Sequence, residues 1–412
     1  MTPFLQLVFT IATILLAAKL AGYLSIRLGQ PSVLGELLVG ILLGPSLLDI
    51  LHLPFLDGNA LGKTIHELGE MGVLLLMFIA GLELHLEELT RNTKISAFAG
   101  VMGVLLPIAL GWGTGWLFGF HQDAALFLGL TLAATSVSIS AQTLIELKVL
   151  RSRVGLGLLG AAVFDDVLVL LLLSDFLAFI EGSTNLAGLL IILLRMILFL
   201  AASVAFGLWV LPRVVRLVGK LPISQGMLTL AMVVMLTYGL AAELVGQMAA
   251  ITGAFIAGLM FARSHEKERI EQGTAALAYG LFVPIFFVSI GLSVNLRELH
   301  LSALWLTLVI IVVAILGKFV GAGLGARLAG FLWRESWQLG AGMISRGEVG
   351  LIVANVGISA GLVTQDEFSA IIGMVLVSTL VTPPILRALF TIKPRVNPTT
   401  LHGASEPEES QA

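Results

Sequence analysis

Between Phe4 and Phe390 the chain is a succession of apolar runs, each cut off by glycine, proline or a cluster of charge. Runs of about 17–25 apolar residues are what an α-helix needs to cross a bilayer. In lipid the backbone must satisfy its own polar groups, so such runs fold as helices packed side by side. The sequence therefore predicts an all-α polytopic membrane protein. Only 12% of its 412 residues are charged, against about 25% in soluble domains, and 58% are hydrophobic.

Thirteen spans are predicted, at 3–24, 33–51, 68–86, 95–118, 124–144, 154–180, 187–218, 224–246, 249–263, 278–296, 302–328, 336–360 and 368–390. Positive charge marks cytoplasmic loops. Lysine and arginine concentrate after odd-numbered spans, as in Arg91 and Lys94, Lys148, Arg151 and Arg153, and Arg213, Arg216 and Lys220. Loops after even-numbered spans hold only Lys63 and Arg297. This split predicts an outside N-terminus and a cytoplasmic C-terminus. The first run lacks a basic n-region and reads as a retained span. The polar stretch 391–412 reads as a disordered cytoplasmic tail. There is no cysteine, which excludes disulfides and thiolate metal sites, and the net charge of -3 gives no reason to expect a nucleic-acid partner.

The chain also repeats itself. Gly81–Leu89 aligns with Gly291–Leu299 at five identical positions of nine, and Gly35 and Gly40 align with Gly253 and Gly258. Spans 2 and 3 thus pair with spans 9 and 10. A shift of seven spans reverses each partner in the membrane, so two inverted six-helix repeats joined by the span at 187–218 are expected, with chance similarity of Gly/Leu-rich helices as the alternative. Inverted repeats typify secondary transporters whose site lies near the midplane.

Charge inside the spans points to that site. Asp165 and Asp166 are adjacent within the sixth span, and Lys318 stands alone within the eleventh. Each costs about 2.5–3.5 kcal/mol at mid-bilayer before any pairing. Adjacent helical residues point about 100° apart, so one aspartate can pair with Lys318 while the other faces a cavity. Carboxylates so placed suit protons or a hard cation; the alternative is a structural ion pair with a spectator acid. Two spans read as interrupted helices. Thr135, Ser136, Ser138 and Ser140 form a hydroxyl-rich run, and Gly342-Met-Ile-Ser345-Arg346-Gly347-Glu348 combines glycines with opposite charges. Hydroxyls bonding back to their own helix are the other explanation of the first run, and a local Arg346–Glu348 pair holding the break is the other explanation of the second. The glycine stripes Gly317, Gly321, Gly325 and Gly111, Gly115, Gly119 read as helix-packing surfaces. Glu36 and Glu243 read as solvated residues near the membrane faces, with a role as entrance acids as the alternative. No nucleophile triad, phosphate loop or metal-ligand cluster suggests an enzyme or a resident cofactor.

The runs Val163-Phe-Asp165-Asp166-Val-Leu, Leu316-Gly-Lys318, Arg346-Gly-Glu348-Val-Gly-Leu-Ile and Ala134-Thr135-Ser136-Val resemble, in order and spacing, those of the second monovalent cation:proton antiporter family. The likeness is nearest to its NapA-type Na+/H+ antiporters, which share a fold with NhaA, and it covers the chain to about Phe390. It implies a transmembrane domain over 1–390. Within it, core helices are expected at roughly 68–180 and 278–390, dimerisation helices at roughly 3–51 and 224–263, and a linker helix at 187–218. It implies that Asp166 binds Na+ with Thr135 and Ser136, that Asp165 pairs with Lys318, and that the core moves like an elevator in a homodimer of the bacterial inner membrane. It also implies electrogenic exchange. Kef-type potassium efflux members carry Gln where this chain has Asp165. K+/H+ exchange and an organic-anion symporter of the same fold are the functional alternatives.

Overall fold

A computed structural model describes residues 2–84, 92–180, 186–295 and 304–391, together with Glu87 and Arg297. The tail beyond Thr391 and part of each aligned repeat segment lie outside the described residues. The described residues are helical, with no strand among them. The helices are α1 (Pro3–Arg27), α2 (Ser32–Leu43), α3 (Gly58–Leu82), α4 (Thr93–Leu117), α5 (Gln122–Ala133), α6 (Ser138–Glu146), α7 (Arg153–Ile180) and α8 (Leu186–Trp209). They continue with α9 (Leu211–Val218), α10 (Gly226–Leu244), α11 (Ala250–Phe261), α12 (Lys267–Leu277), α13 (Val283–Leu292), α14 (Leu304–Leu328), α15 (Trp333–Gly342), α16 (Gly347–Ser359) and α17 (Gln365–Thr391).

Ten helical stretches are long and apolar enough to cross a membrane, counting α5 with α6 and α12 with α13 as one each. The other three predicted spans coincide with the short apolar helices α2 and α11 and with the interrupted pair α15 and α16. Several predicted limits are corrected. The second span stops at Leu43, because Gly44 takes an extended conformation ahead of Pro45. The expected helix 187–218 breaks near Val210, where Pro212 opens the separate amphipathic α9. The tenth span starts early, at Lys267, and passes through a five-residue π turn, Ala278–Phe282, into α13. Pro284 stands at the start of α13 without an N–H to continue the α ladder, which accounts for the wider turn.

Packing divides the helices into two groups. In the first, α1 packs on α2 and α13, α2 on α13, α3 on α11 and α13, and α10 on α11. In the second, α14 packs on α4, α15 and α17, and α4 on α5 and α7. Helix α8 touches both groups, through α7 and α11. It and α1 turn large apolar side chains outward, among them Leu16, Leu20, Leu190, Leu194 and Ile197, as a helix facing lipid or another apolar surface does. Close backbone approach depends on glycine. A Cβ on Gly40 would run into the carbonyl of Val288, and one on Gly258 into that of Phe78.

Glu36 is 6% exposed and buried against α1, not solvated as expected, while Glu243 is exposed. Glu146, at the end of α6, accepts hydrogen bonds from the Ser32 N–H (2.7 Å) and the Ser32 hydroxyl (2.6 Å). This ties the first turn of α2 to α6, which packs on α17 of the second group, a carboxylate meeting the positive end of a helix.

Candidate ion-binding site

The two interrupted helices meet at their breaks. Between α5 and α6 the chain is extended at Ala134 (ψ 138°), and Thr135, Ser136 and Ser138 follow, all buried. Their hydroxyls offer the backbone local alternatives to helix: the Thr135 hydroxyl turns back to the Ala133 carbonyl (3.4 Å), and the Ser136 and Ser138 hydroxyls share a bond of 2.9 Å. Between α15 and α16 the turn is made by Gly347 at φ +45°, and a side chain there would strike Ser136. Only glycine fits both constraints. The Ser136 N–H donates to the Ser345 carbonyl (2.9 Å), the Ser345 hydroxyl donates to the Ser136 carbonyl, and the Ser140 hydroxyl donates to the Gly342 carbonyl (2.6 Å).

Arg346 sits in the second break, fully buried. Its guanidinium donates to the carbonyl of Ile344 at the break and to that of Ala314 on α14 (2.9 Å). The positive charge therefore lies at the carbonyl end of α15, the negative end of that helix's dipole. The Glu348 side chain is outside the described residues, so the expected pair with Arg346 has no description. The arginine bonds that are described all go to backbone carbonyls.

Asp165 points from α7 to α14, where its Oδ1 forms an ion pair with Lys318 Nζ. Both side chains are completely buried. The charges of Lys318 and Arg346 act on Asp165, Thr135 lies against it, and its Oδ2 takes no hydrogen bond from the described residues. Removing two charges from water costs several kcal/mol per ion, which close pairing offsets. Asp166 points elsewhere, as the 100° step requires. It lines a small cavity with Val137 of the first break, Met77 of α3, and Ile251, Thr252 and Phe255 of α11. The Thr252 hydroxyl donates to Asp166 Oδ2 at 3.3 Å.

The structure thus gathers Asp165, Lys318, Thr135 and Arg346 around the crossing, with Ser136 and Ser138 beside them, and turns Asp166 one helical step away, into a cavity between the first break, lined by Val137, and the first helix group. Sequence reasoning missed Thr252. Its one signal is a hydroxyl in the first turn of an otherwise apolar helix, which many helices share.

Comparison with known proteins fixes the family. The description "Sodium/hydrogen exchanger, transmembrane" matches residues 13–392. The chain belongs to the sodium/hydrogen exchanger family. This exchanger is 42% identical to the Na(+)/H(+)-K(+) antiporter GerN of Bacillus cereus, over 93% of its own length and 96% of the relative's. It is 36% identical to a Na(+)/H(+) antiporter of Enterococcus hirae, over 95% and 100% of the two chains. Its fold resembles that of the sodium proton antiporter MjNhaP1 from Methanocaldococcus jannaschii, with a TM-score of 0.65 at 18% identity, over 94% of this chain and 97% of that one. The exchanger is therefore a multi-pass membrane protein of the monovalent cation:proton antiporter class, with one carboxylate neutralised by a lysine and the next facing a cavity.

Proposed function

We propose that the chain is a secondary active antiporter exchanging Na+ or Li+ for protons at Asp166. One observation carries this reading: of two adjacent acids, one is fully buried against a lysine and the other, half-buried, faces a cavity, beside two helix breaks. Lys318 holds Asp165, and Asp166, which lines the cavity, is the carboxylate that binds a proton or a cation in turn. The hydroxyls of Thr135 and Ser136, in the first break, supply further oxygens for a hard cation. A cation arriving at Asp166 displaces its proton and disturbs the neighbouring ion pair, so that Lys318 releases a second proton. Competition for one site then makes the exchange obligatory and electrogenic, with no cofactor and no catalytic step.

The packing supports an elevator in which α4–α7 and α14–α17 move as the core. Helices α3 and α13 pack with α1, α2, α10 and α11, so on this reading they belong to the static side, and the moving part is smaller than the ranges 68–180 and 278–390. We assign α8 as the linker and the outward faces of the static group as the homodimer contact. The inverted repeat is supported by matched close approaches: Gly35 meets α1 and Gly40 meets α13, while their counterparts Gly253 and Gly258 meet α10 and α3. Thirteen crossings, an outside N-terminus and a bacterial inner membrane complete the proposal.

K+/H+ exchange on the same scaffold is the second reading, favoured by the potassium named for GerN. Proton flux in proteoliposomes energised by a proton pump separates the two, with NaCl, LiCl or KCl added in turn. Collapse of the pH gradient by Na+ and Li+, lost in Asp166→Asn, is the expected result. A folded Asp166→Asn protein that still exchanges sodium would overturn the site.

A further inference from the structure

Thr252 is 3% exposed and stands in the first turn of α11, a helix packed on α3 and α10 in the static group. Helix-borne threonines in this protein usually turn their hydroxyls onto the carbonyl four residues back. Thr131, Thr143, Thr274 and Thr382 do so, onto Phe127, Ile139, Ile270 and Ser378, at 2.7–2.9 Å. Thr252 does not. Its hydroxyl crosses between the two helix groups to Asp166 Oδ2 at 3.3 Å. The other side chains lining the cavity, Met77, Val137, Leu159, Ala162, Val163, Ile251 and Phe255, are apolar. Thr252 is therefore the donor that the static group presents to the Asp166 carboxylate in this cavity.

We infer that Thr252 is a positioning residue of the exchange cycle: its hydroxyl holds the empty, ionised Asp166 against the static helices, and a proton or a cation must displace that bond to load the site. The inference rests on Asp166 being the exchange site. A hydroxyl donor stabilises a carboxylate only while the carboxylate is charged and unligated. Protonation removes the charge it binds. A cation attracts the same oxygen and repels the hydroxyl proton. The bond thus competes with both transported ions and weakens each to the same degree. It also anchors the unloaded core, the form whose free movement would uncouple cation from proton. Asp165 is the neighbouring acid on the same helix, Asp166 acts on Lys318 of α14, and Arg346 acts on both Asp165 and Lys318. Helices α3 and α11 bring no charged side chain to the cavity.

The test compares Thr252→Val, which keeps the shape and removes the donor, with Thr252→Ser, which keeps the donor. A bond of 3.3 Å is at the weak end of its class. Its loss should lower the KM for Na+ by about fivefold at the alkaline end of the pH profile, where protons do not compete. The same fivefold gain for the proton moves the half-activity point to higher pH by ~0.7 units. Thr252→Ser should stay close to wild type in both. Sodium-dependent thermal stabilisation of the purified protein reads the same affinity without transport, and Thr252→Ala serves there if the valine variant does not fold. Unchanged KM and pH profile in a folded Thr252→Val protein overturn the inference while leaving Asp166 in place. A raised KM also overturns it, because Thr252 would then be a cation ligand. A wild-type protein silent to Na+, Li+ and K+ removes the functional reading itself, and this inference with it.

Discussion

Ser136 and Ser345 hold one another across the crossing of the two broken helices. The Ser136 N–H donates to the Ser345 carbonyl, and the Ser345 hydroxyl donates back to the Ser136 carbonyl. Each break thereby satisfies part of the other's unpaired backbone, which is what allows irregular chain at membrane depth. Ser345→Ala removes one of the two links and leaves a buried carbonyl short of a donor. The expected loss is about 1–3 kcal/mol, read as a lower Tm of the detergent-solubilised protein. An unchanged Tm would show that the backbone bond alone holds the crossing.

Lys318 and Asp165 form a fully buried ion pair, so removing either alone is expected to cost more than removing both. Lys318→Ala leaves an acid buried without its partner, at a cost of about 3–5 kcal/mol. Asp165→Asn together with Lys318→Ala removes the orphaned charge. The double variant is expected to melt above Lys318→Ala, and it should retain Asp166-dependent cation binding. If the double variant melts lower than the single one, the two residues do not act as a pair.

How much of this was legible in the sequence follows from the kind of signal each residue gives. A charge in an apolar run is conspicuous because lipid makes it expensive, so Asp165, Asp166 and Lys318 stood out at once, and the structure pairs Lys318 with Asp165. Hydroxyl- and glycine-rich interruptions announced both breaks, where the chain does leave the helix. Thr252 carries no such mark, since a threonine in a helix is ordinarily absorbed by its own backbone. Glu36 was misjudged for a related reason: its depth depends on how α2 lies against α1, which hydropathy does not encode. The π turn before Pro284 was equally hidden, because apolarity runs unbroken across it.

The glycine stripe on α14 should divide glycines by what stands opposite them. A side chain at Gly321 or Gly325 would meet the carbonyl of Met102 or Phe98 on α4. Gly325→Val is expected to cost at least about 1–3 kcal/mol through forced separation of the helices. Gly113, on α4, faces open space, and Gly113→Ala should be neutral or stabilising by about 0.5–1 kcal/mol. Equal effects at the two positions, measured by Tm, would contradict close packing of α14 on α4.

The apolar stretch of α3 ends at Leu82, short of the predicted limit at 86, and Glu83 caps it just outside; burial raises its pKa above the ordinary carboxylate value, and Arg151 only partly opposes the shift. Folding therefore favours its protonated form. The sign follows from linkage: stability is lost as pH rises from the unfolded carboxylate range through the raised folded value. Glu83→Gln should raise Tm relative to wild type at pH 8, with the difference shrinking towards pH 4. A constant difference at both pH values would assign the effect to packing and not to charge.

Arg346 poses the question of whether the crossing needs a positive charge or a particular set of donors. Its guanidinium reaches the carbonyls of Ile344 and Ala314, while its Nε has no partner among the described residues. A lysine would keep the charge while surrendering the bridge to α14. Arg346→Gln removes the charge from the carbonyl end of α15 and from the neighbourhood of Asp165, and leaves buried acceptors unpaired, at a cost of about 1–3 kcal/mol for each lost partner. If charge dominates, Arg346→Lys retains most of the Tm and of the Na+/H+ exchange that Arg346→Gln loses. That is the expected order, because the dipole end and Asp165 both respond to charge, and only Ala314 depends on reach. Lysine and glutamine variants equally impaired would instead assign Arg346 to bracing α14 against the second break.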